Sequence, residues 1–151
     1  MDNNTKLLIA SGPEHAATYL FTDSFNPAEL VVEFALVVKN VEELLERAPF
    51  AGRPLFEMIK EITYKQKGEL ESVKTDHETF YEHCLELLEM GSKAVRDHYG
   101  EEDYKLYGQF IVTATEEAAK ASGGGWFGLD AEYTGEEKQH VQKLKDMFGL
   151  D

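Results

Sequence analysis

Residues 70–98 read LESVKTDHETFYEHCLELLEMGSKAVRDH. Within them Leu70, Val73, His77, Phe80, Cys84, Leu87, Gly91, Ala94 and His98 recur at alternating steps of three and four, and Tyr81, Leu88 and Val95 widen the line. That spacing predicts a helix with a heptad-like seam along one face. Gly91 costs about 1 kcal/mol against Ala inside a helix, so a close helix crossing is expected there. Asp76 is also a good N-cap, and the pattern is compatible with one helix over 69–99 or with two. Tyr99-Gly100 ends it.

The same period runs outward in both directions. Upstream, Asn26-Pro27-Ala28-Glu29 is a start signal: Asn caps, Pro takes the first helical position, and Glu can bond back to the cap. The predicted helix runs to about Ala48, before Pro49, with Leu30, Phe34, Val37, Val41, Leu44 and Ala48 on one stripe. Val31, Val32, Ala35, Leu36 and Val38 make its first half apolar nearly all round. Such a helix is either central and buried or, through residues 30–38, a subunit contact in a homodimer. Residues 49–54 read as a turn, and a helix over about 55–67 turns Leu55, Ile59 and Ile62 inward. Before all of these, residues 7–22 hold one or two short helical pieces around Gly12-Pro13, with His15 as a surface residue at a helix start.

Downstream, Glu101-Glu102-Asp103 suits a helix N-terminus. Tyr104, Tyr107, Ile111, Ala114, Ala118 and Ala121 form a stripe that shrinks from aromatic to alanine, so its second half must lie close to a neighbour. Thr134-Gly135-Glu136-Glu137 is a capping box for a last helix that buries Val141, Leu144 and Phe148 and ends at Gly149. No alternating strand pattern appears. The expectation is a single all-α domain over 1–151, a bundle of about six to seven helices.

Composition narrows the function classes. The 151 residues suffice for one domain with a core, supplied by nine Phe and seven Tyr. With 29 acidic against 15 basic residues the formal net charge is −14, which disfavours nucleic acid and anionic membranes and favours cationic partners. The one cysteine, Cys84, allows no internal disulfide and reads as a small buried hydrophobe. No apolar run approaches the roughly 20 residues a bilayer crossing needs. A cytoplasmic protein without membrane insertion is expected.

Candidate chemistry is sparse. His77 and His98 would stand about 31 Å apart on a straight helix, so they share no ion. Glu137-Lys138-Gln139-His140 is a single Glu-x-x-His pair, where di-iron bundles use two. Gly123-Gly124-Gly125 follows a helix rather than a strand and lacks the Gly-Lys-Ser/Thr ending of a phosphate loop. The loop that helical packing does not explain is Gly123–Tyr133, which carries the only Trp; Trp126 and Phe127 are its candidate binding side chains. Asp130-Ala131-Glu132-Tyr133-Thr134-Gly135 begins like a calcium loop, with Gly at the sixth place. Val141 stands where that loop needs its bidentate Glu. Asp130, Glu132, Thr134 and Glu136 are thus a candidate set for weak binding of a divalent cation, and Thr134 as N-cap is the better supported use. No catalytic residue and no cofactor emerges.

Ala118-Ala119-Lys120-Ala121-Ser122-Gly123, Thr134-Gly135-Glu136-Glu137 and Met147-Phe148-Gly149-Leu150 together resemble the closing part of the TerB-like family. Two details depart from it: Ser122 stands where the family has Asp, and about ten residues with the Trp separate the first two blocks. The family's second motif copy, in the N-terminal half, has no counterpart. The resemblance covers about a quarter of the chain. It implies an all-helical, tellurite-resistance-associated, non-enzymatic stress or adaptor protein with a link to metal ions. The expected function is therefore binding. The alternatives are a metal-dependent carboxylate/histidine enzyme within a helical bundle, and a structural or oligomeric interface protein.

Overall fold

A computed structural model describes residues 1–20, 27–66, 77–124 and 135–150, with side chains described for 1–19, 35–65, 83–118 and 139–150. Seven helices make up the described chain: α1 Asn3–Ala10, α2 Gly12–Leu20, α3 Pro27–Leu45, α4 Pro54–Gln66, α5 His77–Tyr99, α6 Glu101–Gly124 and α7 Gly135–Met147. No strand occurs among the described residues. The all-α bundle expected from periodicity is what forms. No helix among them is long and apolar enough to cross a membrane.

The shortest pieces organise the rest. α1 begins at Asn3, earlier than its apolar residues suggest, because the Asp2 carboxylate accepts from the Thr5 N–H at 2.7 Å and caps the first turn. A single residue, Ser11, joins α1 to α2. α2 then packs against α1, α3, α5, α6 and α7, with Ala16, Ala17 and Tyr19 buried. Its start is a point of close approach: a side chain at Gly12 would overlap the Tyr107 hydroxyl, which donates to the Ile9 carbonyl at 2.6 Å.

The long helices follow their stripes in most places. On α6, Tyr104, Tyr107, Ile111, Ala114 and Ala118 are all buried, and the alanine half does lie close to a neighbour. Asn40 of α3 donates through Nδ2 to the Ala114 carbonyl at 3.0 Å. On α7, Val141, Leu144 and Phe148 are buried as expected. The helix closes with Gly149 at φ 69°, the Leu150 N–H bonding the Lys145 carbonyl at 2.7 Å and the Gly149 N–H that of Asp146 at 3.2 Å. That is the left-handed glycine stop that spares a side-chain clash. Gly91 meets its expected crossing: a Cβ there would stand 3.2 Å from the Leu8 carbonyl oxygen of α1.

Four expectations need correction. α3 ends at Leu45, and Ala48 is exposed. Residues 49–54 are more than a turn, since Phe50 is buried and stacks edge-on with Phe56 and Phe110 at centroid distances of 5.0 and 5.5 Å. Ile62 is only partly buried, while its neighbour Thr63 is buried. The inward line of α5 is Cys84, Leu88, Ser92 and Val95; Leu87 and Ala94 flank it half-buried, and His98 is exposed. Ser92 can be buried because its hydroxyl donates to the Leu88 carbonyl at 2.7 Å. On α3, Val37 is buried, Leu36 and Val38 are half-buried and Ala35 is exposed; side chains 30–34 lie outside the described residues, as do residues 67–76.

Charged residues tie the ends of helices together. Asp103 accepts from Arg53 Nε at 2.9 Å and pairs with Nη2 at 2.8 Å. Arg96 bonds Glu101 at 2.8 Å and lies 3.9 Å from the centre of the Tyr104 ring. The Tyr104 hydroxyl in turn donates to the Met147 carbonyl at 2.8 Å. The acidic start of α6 thus anchors two arginines as well as suiting its helix dipole.

Candidate functional site

Of the residues singled out in the sequence, Trp126, Phe127, Asp130, Glu132 and Thr134 lie outside the described residues. Glu136 is described as backbone only, in the first turn of α7. His77 and His98 stand at opposite ends of α5, so their separation holds. Among the described residues, no group of three or more His, Cys, Asp or Glu is arranged to hold a metal ion. Cys84 is buried, and burial pushes its thiol up to about 11, partly offset by a hydrogen bond with Thr18.

The structure instead draws attention to the first turn of α2. Glu14 and His15 are half-buried side chains on adjacent positions, each with a polar atom sealed from solvent: Glu14 Oε2 and His15 Nδ1 have no hydrogen-bond partner. Burial holds the Glu14 carboxyl up at about 7, against a small opposing effect of its own backbone N–H. Burial also pushes the His15 imidazole down to about 4. Both groups are therefore neutral over much of the pH range in which free Glu and His are both charged. His15 is not the surface residue its sequence position suggests.

Around this pair stand five more polar groups, two of them on α2 itself. Tyr107 of α6 is fully buried beside Glu14; burial, then the Glu14 charge, raise its phenol. The Thr18 hydroxyl, one turn on, donates to the Glu14 carbonyl at 2.9 Å. Tyr19, one turn beyond His15, packs on the His140 ring of α7 at 4.6 Å between centroids, and His140 Nδ1 is another buried atom without a partner. Lys143 Nζ lies 6.0 Å from the centre of the same Tyr19 ring. Adjacent helical positions diverge by about 100°, so Glu14 and His15 do not converge on one atom. The arrangement can store and exchange a proton. It does not aim an acid and a base at a common reactant.

The solvent side of α5 is the second feature. Glu86, Glu89, Met90, Lys93 and Asp97 are exposed there, at spacings that share one helical face. Met90 is 58% exposed, the most open large apolar side chain described. Glu86 meets His83 at 3.5 Å, on the same surface. A shallow groove between α1 and α4, lined by Lys6, Glu57, Met58, Glu61, Tyr64 and Tyr99, carries both signs of charge and favours neither kind of partner.

Sequence reasoning passed over the Glu14–His15 pair because nine residues of helix carry little periodicity. No protein-family model, no curated protein and no solved structure matches the chain.

Proposed function

We propose that this protein acts by binding, as a helical adaptor of TerB-like character, and that its partner is a cationic protein segment. What carries the reading is charge: −14 over 151 residues, with Glu86, Glu89 and Asp97 outnumbering Lys93 along the open face of α5 around Met90. A lysine- or arginine-bearing amphipathic segment matches such a face, its apolar edge on Met90 and its cations on the carboxylates. Met suits this use because its unbranched chain adapts to differing surfaces.

The test is calorimetric titration with a basic amphipathic peptide at 50 and 300 mM salt. Reversal of Glu86, Glu89 and Asp97 to Lys is expected to weaken binding at least tenfold more than reversal of Glu43, Glu57 and Glu117, which are exposed elsewhere. Equal losses from the two triple variants would mean diffuse attraction to net charge, and the assignment to α5 would be wrong.

A further inference from the structure

Glu14 sits in the first turn of the one short helix that packs against α1, α3, α5, α6 and α7. Its Oε2 is sealed from solvent without a partner. Two hydroxyls stand at this corner, and both are committed. Tyr107 donates to the Ile9 carbonyl at 2.6 Å, and Thr18 donates to the carbonyl of Glu14 itself at 2.9 Å. A hydroxyl has one proton to give, so neither can serve a carboxylate as well.

No described cation answers for them. Among the described residues, α6 presents Tyr107 to the carboxyl. α5 presents Cys84 beside Thr18, and α7 presents His140 and Lys143, which are engaged with the Tyr19 ring. From α1 comes the Ile9 backbone, and no described charged group of α3 acts on Glu14. His15, next in the chain, is neutral in this setting. An ionised carboxylate with its own N–H as sole donor is far better off in water than here.

We propose that α2 is a proton-operated latch: with its proton, the Glu14 carboxyl lies closed against α6, and on losing it the start of α2 swings off Tyr107 toward solvent. The hinge is short, since Ser11 alone separates α1 from α2. Gly12 permits the closed approach to the Tyr107 hydroxyl and leaves it when the latch opens. Burial sets the Glu14 transition at about 7, within the range a cell can reach.

Amide hydrogen exchange of the full chain at pH 6 and pH 8, corrected for intrinsic rates, tests this. With a closed-state transition at about 7 and an open-state one near the ordinary 4.5, Glu14 alone lowers α2 protection about tenfold between the two pH values; His15, regaining its ordinary 6.5 as α2 opens, offsets about fourfold of this, so the wild type should lose about two- to threefold and His15→Gln about tenfold. Amides of α4 should hold theirs, and Glu14→Gln should hold α2 as well. If the Gln variant folds poorly, Glu14→Met serves, since neither ionises. Unchanged α2 protection in the wild type, an equal loss in α4, or the same loss in the non-ionising variant would each overturn the latch.

Discussion

The neighbours Glu14 and His15 should conceal each other's pH dependence, and removing either should expose the other. Folding raises the Glu14 carboxyl from 4.5 to about 7. The folded state then holds a proton that the unfolded chain has released, so stability is full below 4.5 and falls as pH rises toward 7. Folding lowers the His15 imidazole from 6.5 to about 4. Here the unfolded chain holds the extra proton, so stability is lowest below 4 and recovers as pH rises toward 6.5. Between pH 4.5 and 6.5 the unfolded pair is charged and the folded pair neutral, with the same number of protons bound. The two slopes cancel. At about 1.4 kcal/mol per pH unit, each shift corresponds to roughly 3 kcal/mol, of which about 2–3 kcal/mol falls within the window. Urea unfolding followed by helical circular dichroism, from pH 4 to 7.5, reads this directly. Relative to wild type, Glu14→Gln should gain stability by about 2–3 kcal/mol between pH 4 and 6.5, and His15→Gln should lose a similar amount between pH 4.5 and 7. The double variant should run parallel to wild type. Single variants that both track the wild-type curve would refute the burial of this pair.

Three further outcomes follow from packing and pairing. Gly108→Ala places a Cβ 2.5 Å from Phe148 Cβ and Cγ, so calorimetry should show destabilisation of about 1–3 kcal/mol despite Ala's better helix propensity; a raised Tm would contradict the contact. Asn40→Ala removes the donor to the Ala114 carbonyl where α3 meets α6, and should cost about 1 kcal/mol in urea unfolding, whereas an unchanged midpoint would mean the bond contributes nothing. A double-mutant cycle of Arg53→Met with Asp103→Asn should give a coupling of about 1 kcal/mol, because two guanidinium nitrogens meet the one Asp103 Oδ1 and Asp103 is buried; additivity would place the pair among inert surface contacts.

Where the sequence alone was sufficient, side-chain size and period agreed. α7 shows this in Val141, Leu144 and Phe148, and α6 in its run from Tyr104 to Ala118. Gly91 was legible as a crossing because a costly residue inside a helix needs compensation. The misreadings have local causes. Two apolar lines ran side by side on α5, and the choice between them turned on Ser92, whose polarity the Leu88 carbonyl removes. Phe50 reads as turn because Pro49, Gly52 and Pro54 surround it, yet a turn residue can still reach the core. Asp2 as a cap is hidden from periodicity, because it precedes a helix whose first four residues, Asn3 to Lys6, are all polar. The Glu14–His15 pair was illegible because a charged residue beside a histidine reads as surface unless the packing of the other helices is known. The loop with Trp126 and Phe127, and the oxygen set of Asp130, Glu132, Thr134 and Glu136, remain features of the sequence.

Carbon-detected NMR titration of the Glu14 side-chain carboxyl is the most direct measurement. A midpoint near 7, well above the ordinary 4.5 of a glutamate, is the result that burial without donors predicts. A midpoint at or below 4.5 would mean that the carboxylate is solvated or paired, and both the concealed pH dependence and the latch would fall with it.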